Sequence, residues 1–256
     1  MQSEMPFKTY LINLDRAVDR FEFMDTQLRG LGIDYERIAA VDRQAIDASV
    51  PGFDAKGYRL QHGRDFHAGE IACYLSHIAC LRAFLASSAE HALILEDDCR
   101  LPSDLVSIIN SAIAQAEEWD ILRLSTVNSG IRIPYRKLDE THSLAIALTR
   151  EKGAGGYVVN RRCAEVFLEK LLPIRVAWDI AFDIEYLMGL RSVFVEPVPI
   201  DQNTGMETQI QFTKKPVKLS ASRYLTVFPY RAYLESNRFF RRGMRLLWKK
   251  ISRRAS

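Results

Sequence analysis

Short apolar runs and segments of helical periodicity alternate along most of the chain. Residues 10–14 form a compact apolar run that predicts a strand, residues 17–31 repeat apolar side chains on one helical face, and residues 35–40 predict a second strand. A strand, helix and strand in this order nearly always make a right-handed crossover in a parallel sheet. The opening of the chain therefore predicts an α/β fold.

The alternation resumes after residues 44–66, which show little periodicity and are interpreted as a long loop holding one short helix at most. Further helices are predicted over residues 69–87, 104–118, 161–172 and 179–190. Further strands are predicted over residues 92–95, 120–125, 144–148, 157–160 and 192–196. Residues 130–141 are predicted to be a turn-rich excursion, and residues 200–218 a loop.

No internal repeat and no linker divides this pattern. We therefore predict one α/β domain over residues 8–222, with a mostly parallel central sheet, followed by a basic helical tail over residues 223–256.

Three adjacent acids, Glu96, Asp97 and Asp98, follow directly on the apolar run at residues 92–95. A strand buried on both faces is typical of the centre of a parallel sheet, and ligands bind beyond the carboxyl ends of such strands. Three neighbouring carboxylates repel one another, and Mg²⁺ or Mn²⁺ bound to their oxygens would offset that repulsion. An acidic loop that caps the next helix, near Ser103 and Asp104, is the alternative.

Composition excludes several classes of protein. With 256 residues, of which 48% are hydrophobic and 26% charged, the chain has the composition of a soluble globular protein. No apolar run approaches the roughly 18 residues that span a bilayer, and the first eight residues do not have the pattern of a signal peptide. The four cysteines have neither disulfide-motif nor zinc spacing, which favours reduced thiols in a cytosolic protein.

Charge is distributed unevenly. Residues 231–256 hold nine Arg or Lys and one acid, Glu235, so they carry +8 and the rest of the chain carries −5. Apolar side chains interleave with these bases at Phe239, Phe240, Met244, Leu246, Leu247, Trp248 and Ile251. A basic helix of this kind is typical of a segment that lies in the plane of an anionic membrane. A solvated charged terminus and, less favoured, a nucleic-acid surface are the alternatives.

Two other motifs have both a functional and a structural interpretation. The glycines of Gly153-Ala-Gly-Gly156 lack the spacing of a phosphate-binding loop, and they also suit close approach of two backbone segments. Ser76 and His77 lie within a predicted helix that leads into the acidic strand, where a histidine is either structural or part of a site.

Several segments, in order, resemble the bacterial glycosyltransferases of family 25, relatives of the lipooligosaccharide galactosyltransferases and of collagen-modifying enzymes. They are residues 10–16 with Arg20, 40–42, 69–77, 93–98, 120–125, 155–159 and, more loosely, 178–179. The resemblance spans residues 10–200; beyond it only Gln202 and residues 208–210 fit.

This resemblance implies a GT-A-type, Rossmann-like domain that binds a nucleotide sugar with a divalent metal, Mn²⁺ or Mg²⁺, and transfers the sugar with inversion. Family members of this fold carry a DxD motif where this chain has Glu96-Asp97-Asp98. We assign the metal to Asp98 with Glu96, and we expect Glu96 or Asp97 to reach the ribose or the metal through water.

The resemblance also assigns the remaining site residues. The donor-binding set is Asn13, Arg16, Arg20, Val41, Asp42, Ser76, His77, Glu96 and Asp97. Asp179 is the candidate general base, Asp183 is the alternative, and Trp178 offers a flat apolar face to a sugar. A helix N-cap is the structural alternative for Asp179.

Together these features predict an inverting, metal-dependent glycosyltransferase. It would move a hexose, with galactose from UDP-galactose the favoured donor, onto a lipid-linked oligosaccharide such as lipooligosaccharide. We expect it in the cytoplasm, peripheral on the inner face of the bacterial inner membrane. The rivals are a nucleotidyltransferase of similar fold and a non-catalytic protein that binds glycans or nucleic acid.

Overall fold

An eight-stranded mixed sheet with helices on both faces forms the fold, in a computed structural model that describes residues 5–202 and 220–252. The strands are β1 (Lys8–Asn13), β2 (Tyr35–Ala39), β3 (His91–Glu96), β4 (Ile121–Arg123), β5 (Arg132–Lys137), β6 (Ser143–Ala147), β7 (Gly156–Asn160) and β8 (Ser192–Glu196). The α-helices are α1 (Val18–Gly30), α2 (Ala55–Gln61), α3 (Ala68–Ala86), α4 (Leu105–Ile113), α5 (Arg161–Lys170), α6 (Trp178–Phe182) and α7 (Tyr224–Ser252).

The order of the strands creates a topological switch point at β1, where the chain connections reverse direction. The sheet runs β2-β1-β3-β7-β4-β8-β6-β5, so the chain passes from β1 to one neighbour and then returns past β1 to the other. Both neighbours of β1 are parallel to it, whereas β6 and β7 run against the other six strands. The predicted α/β domain is confirmed, and its parallel half contains the point where such sheets bind ligands.

Side chains alternate between two cores because successive residues of a strand point to opposite faces. Tyr10 and Ile94 face the layer of α3, α5 and α6, while Leu11 and Leu95 face the layer of α1 and α4. Both sets are buried, which explains why successive residues of β1 and β3 are apolar in the sequence.

The core helix α3 is the described helix that is long and apolar enough, by length and composition, to cross a membrane. It contacts β1, α5 and α6, and more than half of its apolar window is buried within the fold. Its composition is therefore that of a helix surrounded by protein.

Two predictions of secondary structure need correction. Residues 130–141 contain strand β5, an edge strand of which only Tyr135 is buried, so its sequence lacks the alternation expected of a strand. Pro134 is tolerated there because an edge strand has a free side. The helix expected over residues 179–190 is instead the short α6 followed by a 3-10 turn, Glu185–Met188, with the break at Asp183.

The long helix α7 docks against the domain through its basic face. Arg238 and Arg242 are buried, and their guanidiniums form ion pairs with Asp183 and, for Arg242, also with Glu185. Arg245 donates to the backbone carbonyls of Glu118 and Ser192. The sequence predicted a basic helix that lies on a membrane or in solvent, but these three arginines point into the protein.

Candidate active site

A cleft opens at the carboxyl ends of the parallel strands β1, β2 and β3. The space between its walls is about 670 Å³, which includes open solvent at the mouth. The residues from the sequence-based assignment that line it are Asn13, Arg16, Arg20, Val41, Ser76, His77, Glu96, Asp97 and Asp98. Asp42 stands beside the lining, where its carboxylate pairs with Arg16 and accepts a hydrogen bond from the Gln44 N–H at 2.9 Å.

Asp97 is held by two donors. The Asn13 Nδ2 donates to its Oδ2 at 2.7 Å, and Arg20 Nη1 lies 2.9 Å from its Oδ1. Burial raises the pKa of Asp97, and the Arg20 charge opposes this shift. The Asn13 Oδ1 accepts a hydrogen bond from Arg37 Nε at 3.0 Å, so both the oxygen and the nitrogen of its amide are engaged. Asn13 therefore serves to position Asp97.

Asp98 has one carboxylate oxygen to which no described residue donates a hydrogen bond. Arg20 Nη2 lies 2.6 Å from Asp98 Oδ2, whereas the buried Oδ1 has no hydrogen-bond partner among the described residues. Burial and the neighbouring Glu96 charge raise the pKa of Asp98 to about 6. A carboxylate oxygen that is buried and without a donor is suited to a hard divalent cation, so Asp98 fits the metal role better than its neighbours.

Glu96 is held on the other side by helix α3. His77 Nε2 and Cys73 Sγ lie 3.2 and 3.8 Å from its Oε1, and Gln202 Nε2 donates to its Oε2 at 3.3 Å. Burial acts to raise the pKa of Glu96, but His77, Arg20 and Cys73 together outweigh it, so the pKa is lowered. Ligand atoms of Cys73, His77 and Glu96 also lie within 4.8 Å of one another. Both oxygens of Glu96 are thus already engaged.

His77 is fixed from three sides. Its ring stacks on Trp178 with centroids 4.8 Å apart, and its Nδ1 lies 2.9 Å from the Tyr157 hydroxyl. The side chain of His77 has a solvent exposure of 0%. It lines the cleft, and its Nε2 contacts Glu96. The structure therefore gives it the geometry of a residue that positions an acid.

Ser76 joins α3 to the end of β2. Its Oγ accepts from the Val41 N–H at 2.9 Å and donates to the Ala72 carbonyl at 2.8 Å. This contact fixes the loop in which Val41 and Arg43 line the cleft.

Three arginines line the cleft together with the acids. Arg16 follows β1, Arg43 follows β2, and both line the cavity with Arg20. Three carboxylates and three guanidiniums thus share one site, an arrangement that suits an anionic ligand bound together with a cation.

The glycines at residues 153–156 act through close packing. A Cβ added at Gly155 would lie 2.1 Å from Gln202 Nε2, and one at Gly156 would lie 2.5 Å from Ile200 Cδ1. None of these glycines lines the cleft. The structural interpretation of this motif is therefore the correct one, and Gly155 leaves the space through which Gln202 reaches Glu96.

Replacing Gly155 with alanine is expected to lower turnover several-fold while changing the free energy of unfolding by less than about 1 kcal/mol, since the side-chain end of Gln202 can move aside. Turnover and thermal unfolding check this. Gln202→Ala should have the same effect, and the double variant should be no worse than either single one, since all three lose one contact. Gly30→Ala is the control because its Cβ would meet nothing within 4 Å. Additive losses would contradict the shared contact.

The two aspartates considered as general base differ in accessibility. Asp183 is 1% exposed and pairs with Arg123, Arg238 and Arg242, so its carboxylate cannot meet an acceptor. Asp179 has a side chain 34% exposed, with Arg150 Nη2 at 3.9 Å. Asp179 is not among the residues that line the cleft.

Two other expectations for this segment are wrong. Ala177 occupies the N-cap position of α6, so Asp179 is in the first turn of the helix and does not cap it. Trp178 is buried beneath His77 and packs edge-on against Tyr74, so its ring cannot stack on a sugar.

Sequence reasoning missed Cys73 and Arg43 as lining residues and gave Gln202 and Tyr157 no role in the site. Cys73 lies four residues before His77 on α3, one helical turn away, and this spacing was a usable signal. No comparable local signal links Gln202 to Glu96, because only the folded chain brings them together.

Comparison with known proteins gives several relatives. Procollagen galactosyltransferase 1 from Danio rerio is 28% identical over 183 residues, which are 65% of this chain and 30% of that protein. A glycosyltransferase 25 family member from Aedes aegypti is 33% identical over 121 residues, covering 44% and 20% of the two chains. A probable inactive glycosyltransferase 25 family member 3 from Bos taurus is 30% identical over 132 residues, covering 48% and 22%. The chain thus spans less than a third of the length of each of these relatives.

The family description "Glycosyltransferase family 25 (LPS biosynthesis protein)" matches residues 7–182. This match begins just before β1 and ends with α6, so it includes the three strands and the helix that form the cleft. The protein therefore belongs to glycosyltransferase family 25.

Proposed function

We propose that the protein transfers a hexose, with inversion, from a nucleotide sugar to a saccharide hydroxyl. The main support is the cleft at the carboxyl ends of β1, β2 and β3, which is lined by three carboxylates and three arginines. UDP-galactose is the donor we propose, in line with the galactosyltransferase name of a relative. A lipid-linked oligosaccharide is the proposed acceptor.

Charge on the leaving group is the main chemical problem of this reaction. When the bond between the anomeric carbon and the diphosphate oxygen breaks, the diphosphate leaves with the electron pair. Arg16 and Arg43 are the residues we propose for neutralising that charge, because they line the cleft after β1 and β2. Arg16 would exchange its present contact with Asp42 for one with the diphosphate. Fixed cations aimed at developing negative charge stabilise the transition state.

Asp98 would hold a divalent cation, Mn²⁺ or Mg²⁺, through its unpartnered Oδ1, and Glu96 would assist if its hydrogen bonds rearrange. When bound, such an ion supplies Lewis-acid stabilisation of the diphosphate. His77 and Gln202 hold Glu96, and Asn13 holds Asp97, so the protein fixes the acids in place before a ligand arrives.

Asp179 is the proposed general base. The acceptor hydroxyl forms the new bond to the anomeric carbon, and Asp179 takes its proton. Its partly exposed carboxylate can be reached by an acceptor, whereas the carboxylate of Asp183 is buried among arginines.

Release of the nucleoside diphosphate tests the proposal. The protein is incubated with UDP-galactose, Mn²⁺ and a deacylated lipooligosaccharide acceptor, and UDP is measured. Acceptor-dependent UDP release is the expected result. Release of pyrophosphate from a nucleoside triphosphate would support the nucleotidyltransferase rival. Donor binding without any turnover would support a non-catalytic member, of the kind that the name of the Bos taurus relative describes.

Replacing Asp179 with asparagine is expected to lower kcat by about 100-fold or more while leaving the Kd for the donor unchanged, because a general base acts on the acceptor proton. Single-turnover rates and donor titration separate the two quantities. Glu169→Gln, an exposed acid on α5, is the matched control. An unchanged kcat would remove Asp179 from the reaction.

A further inference from the structure

Helix α7 presents an apolar stripe to solvent on the side opposite its docked face. Six large side chains form this stripe, and each is at least 43% exposed: Tyr233, Phe240, Met244, Leu247, Trp248 and Ile251. Their spacing of three, four and seven residues places them along one side of the helix. The face against the domain is marked by the buried Leu234, Arg238, Arg242 and Leu246.

In α7 the apolar face is exposed and two arginines of the basic face are buried, which is the reverse of the usual amphipathic helix. The arginines that would normally face water are buried against Asp183 and Glu185, and the aromatic and aliphatic side chains are left outside. A continuous exposed apolar surface of this kind marks an interaction site, because water is a poor environment for it. The docked arginines fix which side of the helix faces outward.

Cations border the stripe on both sides. At 100° per residue, Arg241 and Lys250 fall on opposite edges of it. Both are exposed, and neither forms an ion pair with a described residue. Arg253 and Arg254 follow in the sequence. The one acid of this helix, Glu235, is already paired with Arg238.

We propose that the stripe of α7 lies on an anionic lipid bilayer, with its apolar side chains inserted among the acyl chains and with Arg241 and Lys250 at the phosphate level. An aromatic and aliphatic stripe bordered by cations complements such a surface in both hydrophobicity and charge. A second copy of the chain is a poorer occupant, because pairing two stripes brings like charges together and offers no acid to them. The cytoplasmic leaflet of a membrane has the required negative charge.

The same helix connects this surface to the cleft. Val227, at the start of α7, packs over Gly63, and Arg223 donates to the Gly63 carbonyl at 3.4 Å. The segment containing Gly63 leads into α3, whose Gly69 lines the cleft. A protein held through α7 would therefore have its sugar-transfer site linked to the membrane by a short, packed segment.

Sedimentation with lipid vesicles tests the proposal on the full chain. We expect it to bind vesicles of phosphatidylcholine with phosphatidylglycerol, and to bind vesicles of phosphatidylcholine alone more weakly. Phe240→Ser with Trp248→Ser should weaken binding to the anionic vesicles by about tenfold or more, since two exposed side chains lose their apolar burial. Arg241→Gln with Lys250→Gln should weaken it less and reduce its dependence on salt.

Val127→Ser with Ile131→Ser is the control, because these two apolar side chains are also exposed, at 59% each, and are not part of α7. Unchanged vesicle binding by the Phe240→Ser, Trp248→Ser variant would overturn the proposal. So would a parent protein that binds no vesicles and forms a dimer that these two substitutions dissociate. The readout needs no substrate, so failure here is distinct from failure of the proposed transfer reaction.

Discussion

Asp98→Asn is expected to lower turnover by about a thousandfold or more while leaving the fold intact. Asparagine is nearly isosteric with aspartate, but it removes the charge of the one acid in the cleft that has a buried oxygen without a described partner. The donor should bind this variant without the gain in thermal stability that we expect Mn²⁺ to give the parent. UDP release, and unfolding temperatures with donor and metal, check both statements.

The loss of activity in Asp98→Asn should not be accompanied by a loss of stability. Burial and the charge of Glu96 raise the pKa of Asp98, which means that its ionised form is unfavourable in the folded protein. Removing that charge is therefore expected to leave the free energy of unfolding unchanged or slightly higher. Asp104→Asn, an exposed acid at the start of α4, is the control and should keep full activity. Full activity of Asp98→Asn would remove this residue from the reaction.

Arg242→Met is expected to give the largest loss of stability, about 3–5 kcal/mol in the free energy of unfolding. The guanidinium of Arg242 lies 2.7 Å from Glu185 and 3.0 Å from Asp183, and all three side chains are buried. Methionine fills a similar volume but leaves these carboxylates with less compensating charge. A loss of this size is a large part of the roughly 5–15 kcal/mol that stabilises an ordinary domain. Chemical denaturation measures it.

Matched variants separate this effect from helix propensity. Arg241→Met changes the neighbouring residue, which is exposed, and should alter stability by less than about 0.5 kcal/mol. Arg242→Met combined with Glu185→Met should recover part of the loss, since the acid left without its partner is then also removed. If Arg242→Met were as stable as the parent, the buried ion pairs would not be what holds α7 to the domain.

The part of the site that could be predicted from sequence is the set of polar residues at the end of an apolar run. Apolar runs at residues 10–14 and 92–95 identified β1 and β3, and the residues after them line the cleft together. Parallel strands bring their carboxyl ends to one edge of a sheet, so local order along the chain was enough to group Asn13, Arg16 and the acids.

The partners of those acids were not predictable in the same way. Gln202 meets Glu96 across 106 positions of sequence, and Trp178 supports His77 from another helix. Neither contact produces a periodic pattern in the sequence, because each depends on how separate elements pack. The edge strand β5 escaped prediction for a related reason, since a strand with one buried side chain has almost no pattern of burial to detect.

The sequence by itself determined the α/β architecture, the acidic end of β3 and an amphipathic, basic helix near the end of the chain. Which side of that helix faces the domain was decided only by the tertiary structure, where Asp183 and Glu185 draw Arg238 and Arg242 inward from more than fifty positions away. Periodicity separates the two faces of a helix, but the outcome depends on whether buried charges elsewhere compensate the cost of removing arginines from water.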